Sequence, residues 1–357
     1  MAVTAENIEI YMGPPQAEAP DNLLDVIVGF IRGAQKRLDI AVQEIDNKEI
    51  ADAVIQAKQR GVRVRIVLEA DYLTVPRFRP NPYERKGVNE ANREIHNAIL
   101  RSAIKVNSDF NPKIFHQKFI IRDGKSLLTG STNFTETGVE RNLNHVVVMH
   151  DEKIAKIYGR EYREIQQGHF GRLSEGRDPK PKVVAVSGVP VKVLFAPDHN
   201  PEMEIAKQMA KARERIDFAI FTFAESSAID DQMLMAARAG VRVKGVLDAK
   251  QANQKWAAAK HLLHKENIDI RTAPTKTSLG KLHHKLMVID RQVVIAGSFN
   301  YTGPANLLND ENIMVIGEHE IEEAGARENQ KKLAEFALNE IERIYNDLSR
   351  PMPTAGS

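Results

Sequence analysis

HQKFIIRDGKSLLTGSTN (116–133) and HHKLMVIDRQVVIAGSFN (283–300) align without a gap, and both carry the pattern H-x-K-x(4)-D-x(6)-G-S-x-N. Their apolar residues run as in strands. Asp123-Gly124 and Asp290-Arg291 fall between two apolar runs, the place of a tight hairpin turn, so each copy reads as an antiparallel pair. Side chains two apart in a strand share a face, which stands His116 beside Lys118 and His283 beside Lys285.

The repetition extends outward from these hairpins. RGVRVRIVLEADY (60–72) answers AGVRVKGVLDAKQ (239–251), each a Gly turn followed by a buried-strand pattern. Upstream lie a helix and an apolar strand in IVGFIRGAQKRLDIAVQEI (27–45) and in IAKQMAKARERIDFAIFTF (205–223). A second helix, KEIADAVIQAKQ (48–59) or SSAIDDQMLMAAR (226–238), fills the interval, and each repeat closes with a strand, VVVM (146–149) or IMVI (313–316), and a charged helical stretch. This alternation predicts an α/β fold of two pseudo-twofold-related repeats, each a mixed β-sheet flanked by helices. The polar run HFGRLSEGRDPKPK (169–182) has the composition of a linker. The expected division is an N-terminal half at 1–170, a linker at 171–182 and a C-terminal half at 183–357. The long charged helix IEEAGARENQKKLAEFALNEIERIYNDL (321–348) is expected to pack on its own half.

Composition narrows the function. With 357 residues, 42% hydrophobic and 27% charged, the chain is globular and long enough for two cores. Lys plus Arg number 50 against 48 Asp plus Glu, which excludes a strongly basic arm and leaves room for a local basic patch. The absence of cysteine excludes disulfides, Cys-ligated zinc, iron–sulfur clusters and thiol catalysis. MAVTAENIEIYMGPPQ lacks a cationic segment followed by an apolar run, and no stretch approaches the ~18 uncharged apolar residues of a spanning helix, so a cytoplasmic location is expected.

If the repeats pack by pseudo-twofold symmetry, two His, two Lys, two Ser and two Asn converge. Lysines with hydroxyl and amide donors form a cradle for a tetrahedral oxyanion such as phosphate. Imidazoles on opposite sides suit in-line displacement, one attacking and the other protonating the leaving oxygen.

The duplicated string resembles the paired HKD motifs of the phospholipase D superfamily, closest in wording to its bacterial endonuclease-like members, and the resemblance covers nearly the whole chain. It implies a phosphodiesterase with one active site between the halves, a covalent phosphohistidine and no metal or other cofactor. His116 is then the nucleophile and His283 the general acid and later the base. Lys118, Lys285, Asn133 and Asn300 bind the non-bridging oxygens, with Ser131 and Ser298 lining the phosphate pocket. Asp123 and Asp290 take a structural role. Eleven residues after Asn300 stands Glu311, where the family places a carboxylate that orients the histidine of the opposite half. The matching position after Asn133 is Asn144, a weaker orienter for His283.

The first half carries an insert, TVPRFRPNPYERKG (74–87), in which Arg77, Arg79, Arg85 and Lys86 alternate with Phe78 and Tyr83. That mixture suits a nucleic-acid backbone and stacked bases. GSFNYT (297–302) and IFTF (220–223) are similar to the family's small bacterial endonucleases, aromatic content is 6%, and no apolar loop stands out for a bilayer surface. The leading reading is an endonuclease acting on DNA or RNA. A phospholipase D or phosphatidyl transferase acting on phospholipid is the alternative, and a non-catalytic nucleic-acid-binding subunit the third. One chain holds both motifs, so a monomer suffices for one site. His261 and His264, one helical turn apart, lack a carboxylate pattern and are not expected to bind metal. His284 is expected on the strand face opposite His283.

Overall fold

The computed structural model describes residues 2–75, 77–275 and 279–352. The first sheet contains β1 (Val3–Ala5), β2 (Ile8–Gly13), β3 (Arg37–Val42), β4 (Arg63–Glu69), β5 (Lys105–Asp109), β6 (Lys118–Arg122), β7 (Ser126–Gly130) and β8 (Asn144–Met149). Its order is β1-β2-β8-β7-β6-β3-β4-β5. The second contains β9 (Val183–Val186), β10 (Val189–Ala196), β11 (Arg215–Ile220), β12 (Arg242–Asp248), β13 (Ile268–Ala273), β14 (Lys285–Ile289), β15 (Val293–Gly297) and β16 (Glu311–Ile316). Its order, β13-β12-β11-β14-β15-β16-β10-β9, repeats the first, with the short β17 (Arg350–Pro351) added beside β13. In both, three parallel strands joined by helices run into an antiparallel remainder.

The period-two alternation of the strands explains the layering. In β6, Phe119 and Ile121 enter a central core between the two sheets, whereas Ile120 enters an outer core beneath helices Leu23–Arg32 and Lys48–Gln59. In β14, Leu286 and Val288 face the central core and Met287 and Ile289 the outer one. Side-chain amides of Asn22 and Asn47 cap the starts of those two first-half helices through their carbonyl oxygens.

The helix Ala324–Arg343 does more than expected. Its Leu333, Ala334, Ala337, Leu338 and Ile341 lie in the central core with Val3 and Ile10 of the first half as well as Val191 and Leu286 of the second. Arg343 Nη1 donates to the Ala17 carbonyl at 2.7 Å and Lys332 Nζ to the Thr4 carbonyl at 2.9 Å. The helix packs on its own half, as expected, and also on the first, because its apolar face lies in the space between the sheets. Within 171–182, Gly171–Leu173 form a 3-10 turn, and the Gly171 N–H donates to the Asp310 carboxylate at 2.9 and 3.0 Å.

Candidate active site

Each motif begins at a strand end that lies against the other half. His116 N–H donates to the Asp310 carbonyl at 2.9 Å, and His283 N–H to the Leu143 carbonyl at 2.9 Å, two related bridges across the pseudo-twofold. The hairpin turns are fixed by the motif aspartates. Asp123 (φ 56°) and Asp290 (φ 51°) start the turns in left-handed conformation. Asp123 accepts the backbone N–H groups of Gln35, Lys36 and Arg37 at 3.0, 2.7 and 2.8 Å. Asp290 accepts those of Arg213, Glu214 and Arg215 at 2.7, 2.9 and 2.8 Å. Both act on the loop that enters the neighbouring strand. Gly130 and Gly297 close the hairpins at φ 155°, where a Cβ would lie 2.2 Å from the His145 carbonyl oxygen or 2.3 Å from that of Asn312.

The two motif histidines are buried yet not sealed, with 6% of His116 and 7% of His283 exposed. His116 Nδ1 meets Glu311 Oε2 at 2.7 Å, and Ser298 Oγ donates to the same oxygen at 2.6 Å. In the related position His283 Nδ1 meets Asn144 Oδ1 at 2.9 Å, and Ser131 Oγ donates to that oxygen at 2.8 Å. The Asn144 amide donates to the Gly138 carbonyl at 2.8 Å, which fixes its oxygen as the acceptor. With Nδ1 engaged, each histidine has its Nε2 left for chemistry. Lys118 Nζ donates to the His116 carbonyl at 2.9 Å and to Gln43 Oε1 at 3.2 Å, and Lys285 Nζ donates to the His283 carbonyl at 2.9 Å. Each ammonium keeps a donor for an oxyanion.

Burial and crowded cations set the protonation states. Burial, then Lys118 and Lys285, pushes the His116 imidazolium well below its ordinary value. Burial, Lys285, Lys118 and His116 do the same to His283. Burial lowers Lys118 to about 7 against the pull of Glu311 and Glu44, and burial with Lys118 takes Lys285 well below its usual range. Glu311 is pushed up by burial to about 8, against Lys118, the Ser298 hydroxyl and Lys285. An anion placed here would favour the charged forms of both lysines and both histidines.

Ser131 and Ser298, expected beside the phosphate, are fully buried, and their hydroxyls are bonded to Asn144 and Glu311. They hold the orienters. Asn133 donates to Glu44 Oε1 at 3.0 Å, its Oδ1 and that of Asn300 find no partner among the described residues, and the Asn300 amide makes no side-chain hydrogen bond there. His284 points away from the site, as expected, where its ring stacks on that of His145 at 5.5 Å. His261 meets Asp230 at 2.8 Å, a carboxylate that its local sequence does not reveal.

The insert forms a separate feature. Arg79, Tyr83 and Arg85 line a cavity of about 760 Å³ with Phe78 and Arg93. Lys86 pairs with Glu84 at 2.5 Å. Among the described residues neither these nor Arg77 bonds to the two histidines or lysines. The insert is nonetheless rooted at the site, because Gln43, which holds Lys118, donates to Tyr72 Oη at 2.8 Å, immediately before it. Phe78 is 90% and Tyr83 91% exposed, and Phe110 and Leu173 also project. Exposed apolar loops are therefore present, contrary to the sequence reading, which took the Phe and Tyr of the insert only as stacking partners.

Sequence reasoning also missed Gln43, Glu44 and Phe221, which follow the apolar strands β3 and β11. Phe221 lies 4.8 Å from the His283 ring and 5.2 Å from Lys285 Nζ. Burial, then Asp46, raises Glu44 to about 7. Their signal was the break in strand hydrophobicity at AVQEI and the departure from it at AIFTF. Glu161, Glu164 and Asp198 bring carboxylate oxygens within 4.8 Å of one another. Glu161 also accepts a hydrogen bond from Gln117 at 3.1 Å.

Two symmetry-related His–Lys pairs, each completed by an orienter from the opposite repeat, define a two-histidine phosphate site. A family model described as "Cardiolipin synthase, PLD-like domain" matches residues 27–166 and 205–332, and the chain belongs to this phospholipase D-like family. It is 29% identical over 160 residues to a mitochondrial cardiolipin hydrolase of Xenopus laevis, covering 44% of this chain and 64% of that protein. It is 32% identical over 135 residues to a phospholipase D of Rickettsia conorii, covering 38% of this chain and 64% of that one. The match therefore spans less than two thirds of either relative. The structure of phosphatidylserine synthase from Haemophilus influenzae covers 99% of this chain and 88% of its own, with a TM-score of 0.66 at 14% identity, which is a likeness of fold. No helix among the described residues is long and apolar enough to cross a membrane.

Proposed function

We propose that the chain is a metal-independent phosphodiesterase that cleaves nucleic acid through a phosphohistidine on His116. The observation that carries the chemistry is the pairing of His116 with a carboxylate and of His283 with an amide. His116 Nε2 attacks phosphorus, the bond to the leaving oxygen breaks, and His283 gives its Nε2 proton to that oxygen. The phosphorylated ring is cationic, and Glu311 balances it. His283 then takes a proton from water, the hydroxide attacks phosphorus, and the P–N bond breaks to return neutral His116. Lys118, Lys285, Asn133 and Asn300 hold the non-bridging oxygens throughout. Phosphate binding neutralises the lysines that depress His283, which lets it carry the proton it must deliver. The Arg-and-aromatic insert rooted at Tyr72 supports a polynucleotide as the substrate.

A phospholipid is the second reading, favoured by the names of the cardiolipin hydrolase and phospholipase D relatives and by exposed Phe78, Tyr83, Phe110 and Leu173. The test incubates wild type and His116→Ala, in excess EDTA, with labelled single- and double-stranded DNA, RNA, and vesicles of phosphatidylcholine or cardiolipin. Nucleic-acid cleavage that survives EDTA and is lost in the variant supports the first reading. Head-group release alone selects the second.

A further inference from the structure

Beside His283 the surface opens into a cavity of about 380 Å³ lined by Arg141, Lys250 and Lys281 together with Phe221 and Asn142. Phe221 is a wall common to cavity and site, because the same ring packs on His283 at 4.8 Å. The cations sit on the segments that hold the histidine. Leu143 N–H donates to the Lys281 carbonyl at 2.9 Å, and Gly280 N–H to the Arg141 carbonyl at 2.8 Å. Lys250 follows Asp248, which also borders the cavity but is engaged by the backbone N–H groups of Lys250 and Gln251 at 3.0 and 3.1 Å.

The duplicated frame supplies an internal control. Two residues before the motif histidine, Lys281 corresponds to Ile114. Three residues before the orienter, Arg141 corresponds to Leu308. Two residues after the capping carboxylate of Asp248 or Glu69, Lys250 corresponds to Asp71. The His283 flank thus carries three cations where the His116 flank has two aliphatic side chains and a carboxylate. The insert's cations lie beyond Tyr72 and do not occupy these positions. One backbone serves both flanks, so the fold does not require the charge.

In an in-line displacement the leaving oxygen departs opposite the nucleophile, beside the general acid. We propose that the cavity is a subsite for a second phosphate carried by the leaving group, and that this group is the departing strand of a polynucleotide. The proposal rests on His116 as nucleophile and His283 as acid. A departing choline, itself a cation, is repelled there, whereas a departing strand presents a phosphate to Lys250 and Lys281.

The experiment compares kcat/KM for a short single-stranded oligonucleotide with that for bis(p-nitrophenyl) phosphate, whose leaving group has no second phosphate. In Lys250→Ala and Lys281→Ala the ratio of the two should fall about tenfold, and the salt dependence of oligonucleotide KM should flatten by roughly 0.7 in log–log slope per cation removed. Ile114→Ala, at the related place on the other flank, should keep the wild-type ratio. An unchanged ratio and slope in both lysine variants overturns the subsite. If the variants instead weaken turnover of cardiolipin vesicles alone, the second phosphate is a lipid's and the polynucleotide is overturned. Wild type that hydrolyses neither soluble substrate, or activity that persists in His116→Ala, overturns the proposed function and the subsite together.

Discussion

Glu311 Oε2 lies 2.7 Å from His116 Nδ1 although 195 positions separate the two residues and they belong to different repeats. The related His283 meets only the neutral oxygen of Asn144. A carboxylate is worth most where an imidazole acquires positive charge by forming a bond to phosphorus. Burial raises Glu311 to about 8 in the empty site, and a ring that becomes cationic favours its ionised form. Glu311→Gln keeps the shape and an acceptor oxygen but cannot ionise, so phosphoenzyme formation should slow about 100-fold. Rapid-quench measurement of a labelled single turnover reads this directly, and a change under twofold would show that His116 carries no charge in the step.

Asn144→Asp makes the converse change. A carboxylate beside His283 favours the imidazolium and opposes the burial and the Lys285 charge that now depress it. An acid with a higher pKa stays protonated to higher pH. The alkaline limb of the kcat/KM profile should therefore move up by about one unit. A limb that stays in place would remove His283 from the role of acid.

The two histidines separate further with a leaving group that needs no proton. With bis(p-nitrophenyl) phosphate, His283→Ala should release a burst of nitrophenol and then stall, because the phosphoenzyme lacks its base. His116→Ala should give no burst. An acid-labile, alkali-stable label retained on His283→Ala identifies the intermediate, and a burst from His116→Ala would exchange the roles.

Local patterns made much of this legible. The helix 48–59 and the hairpin turns at Asp123 and Asp290 were visible because apolar periodicity and turn chemistry act over a few residues. Glu311 was legible only through its spacing from Asn300 together with the family resemblance. The bonds of Ser131 and Ser298 to the orienting residues were not legible, because the repeat fixes a residue's place and not the direction of its hydroxyl. The contact of helix Ala324–Arg343 with the first half, beyond its own, was not legible because an apolar face does not name all its partners, and the space between two sheets is a property of the whole fold. Phe221 and the cationic cavity arise from segments distant in sequence, and no local pattern joins Arg141 to Lys281.

The depressed lysines make anion binding depend on pH. Lys118, lowered by burial to about 7, loses its charge in the empty site as pH rises past that value. Sulfate, whose own charge is constant over this range, should inhibit competitively with a Ki that rises as pH increases from about 6 to 9. Binding should be accompanied by proton uptake, visible as a buffer-dependent heat in calorimetry. A Ki flat across the range would mean that the ammonium is held charged by its neighbours.

Asp290 offers a stability test separate from catalysis. Burial alone would raise its pKa, but His319 and the N–H groups of Arg213, Glu214 and Arg215 hold it at about 2, below the ordinary 3.8. Because the folded value is the lower one, the ionised carboxylate stabilises the fold above pH 4, and that contribution is lost as pH falls from about 4 towards 2. Asp290→Asn turns an amide donor towards three N–H groups. With the discount due to partial exposure, it should cost about 1–2 kcal/mol at neutral pH. Thermal unfolding of both proteins between pH 7 and 2.5 should show a constant gap in Tm above pH 5 that narrows on acidification. A gap that persists undiminished at the lowest pH would assign the loss to altered packing of the hairpin turn and not to the charge.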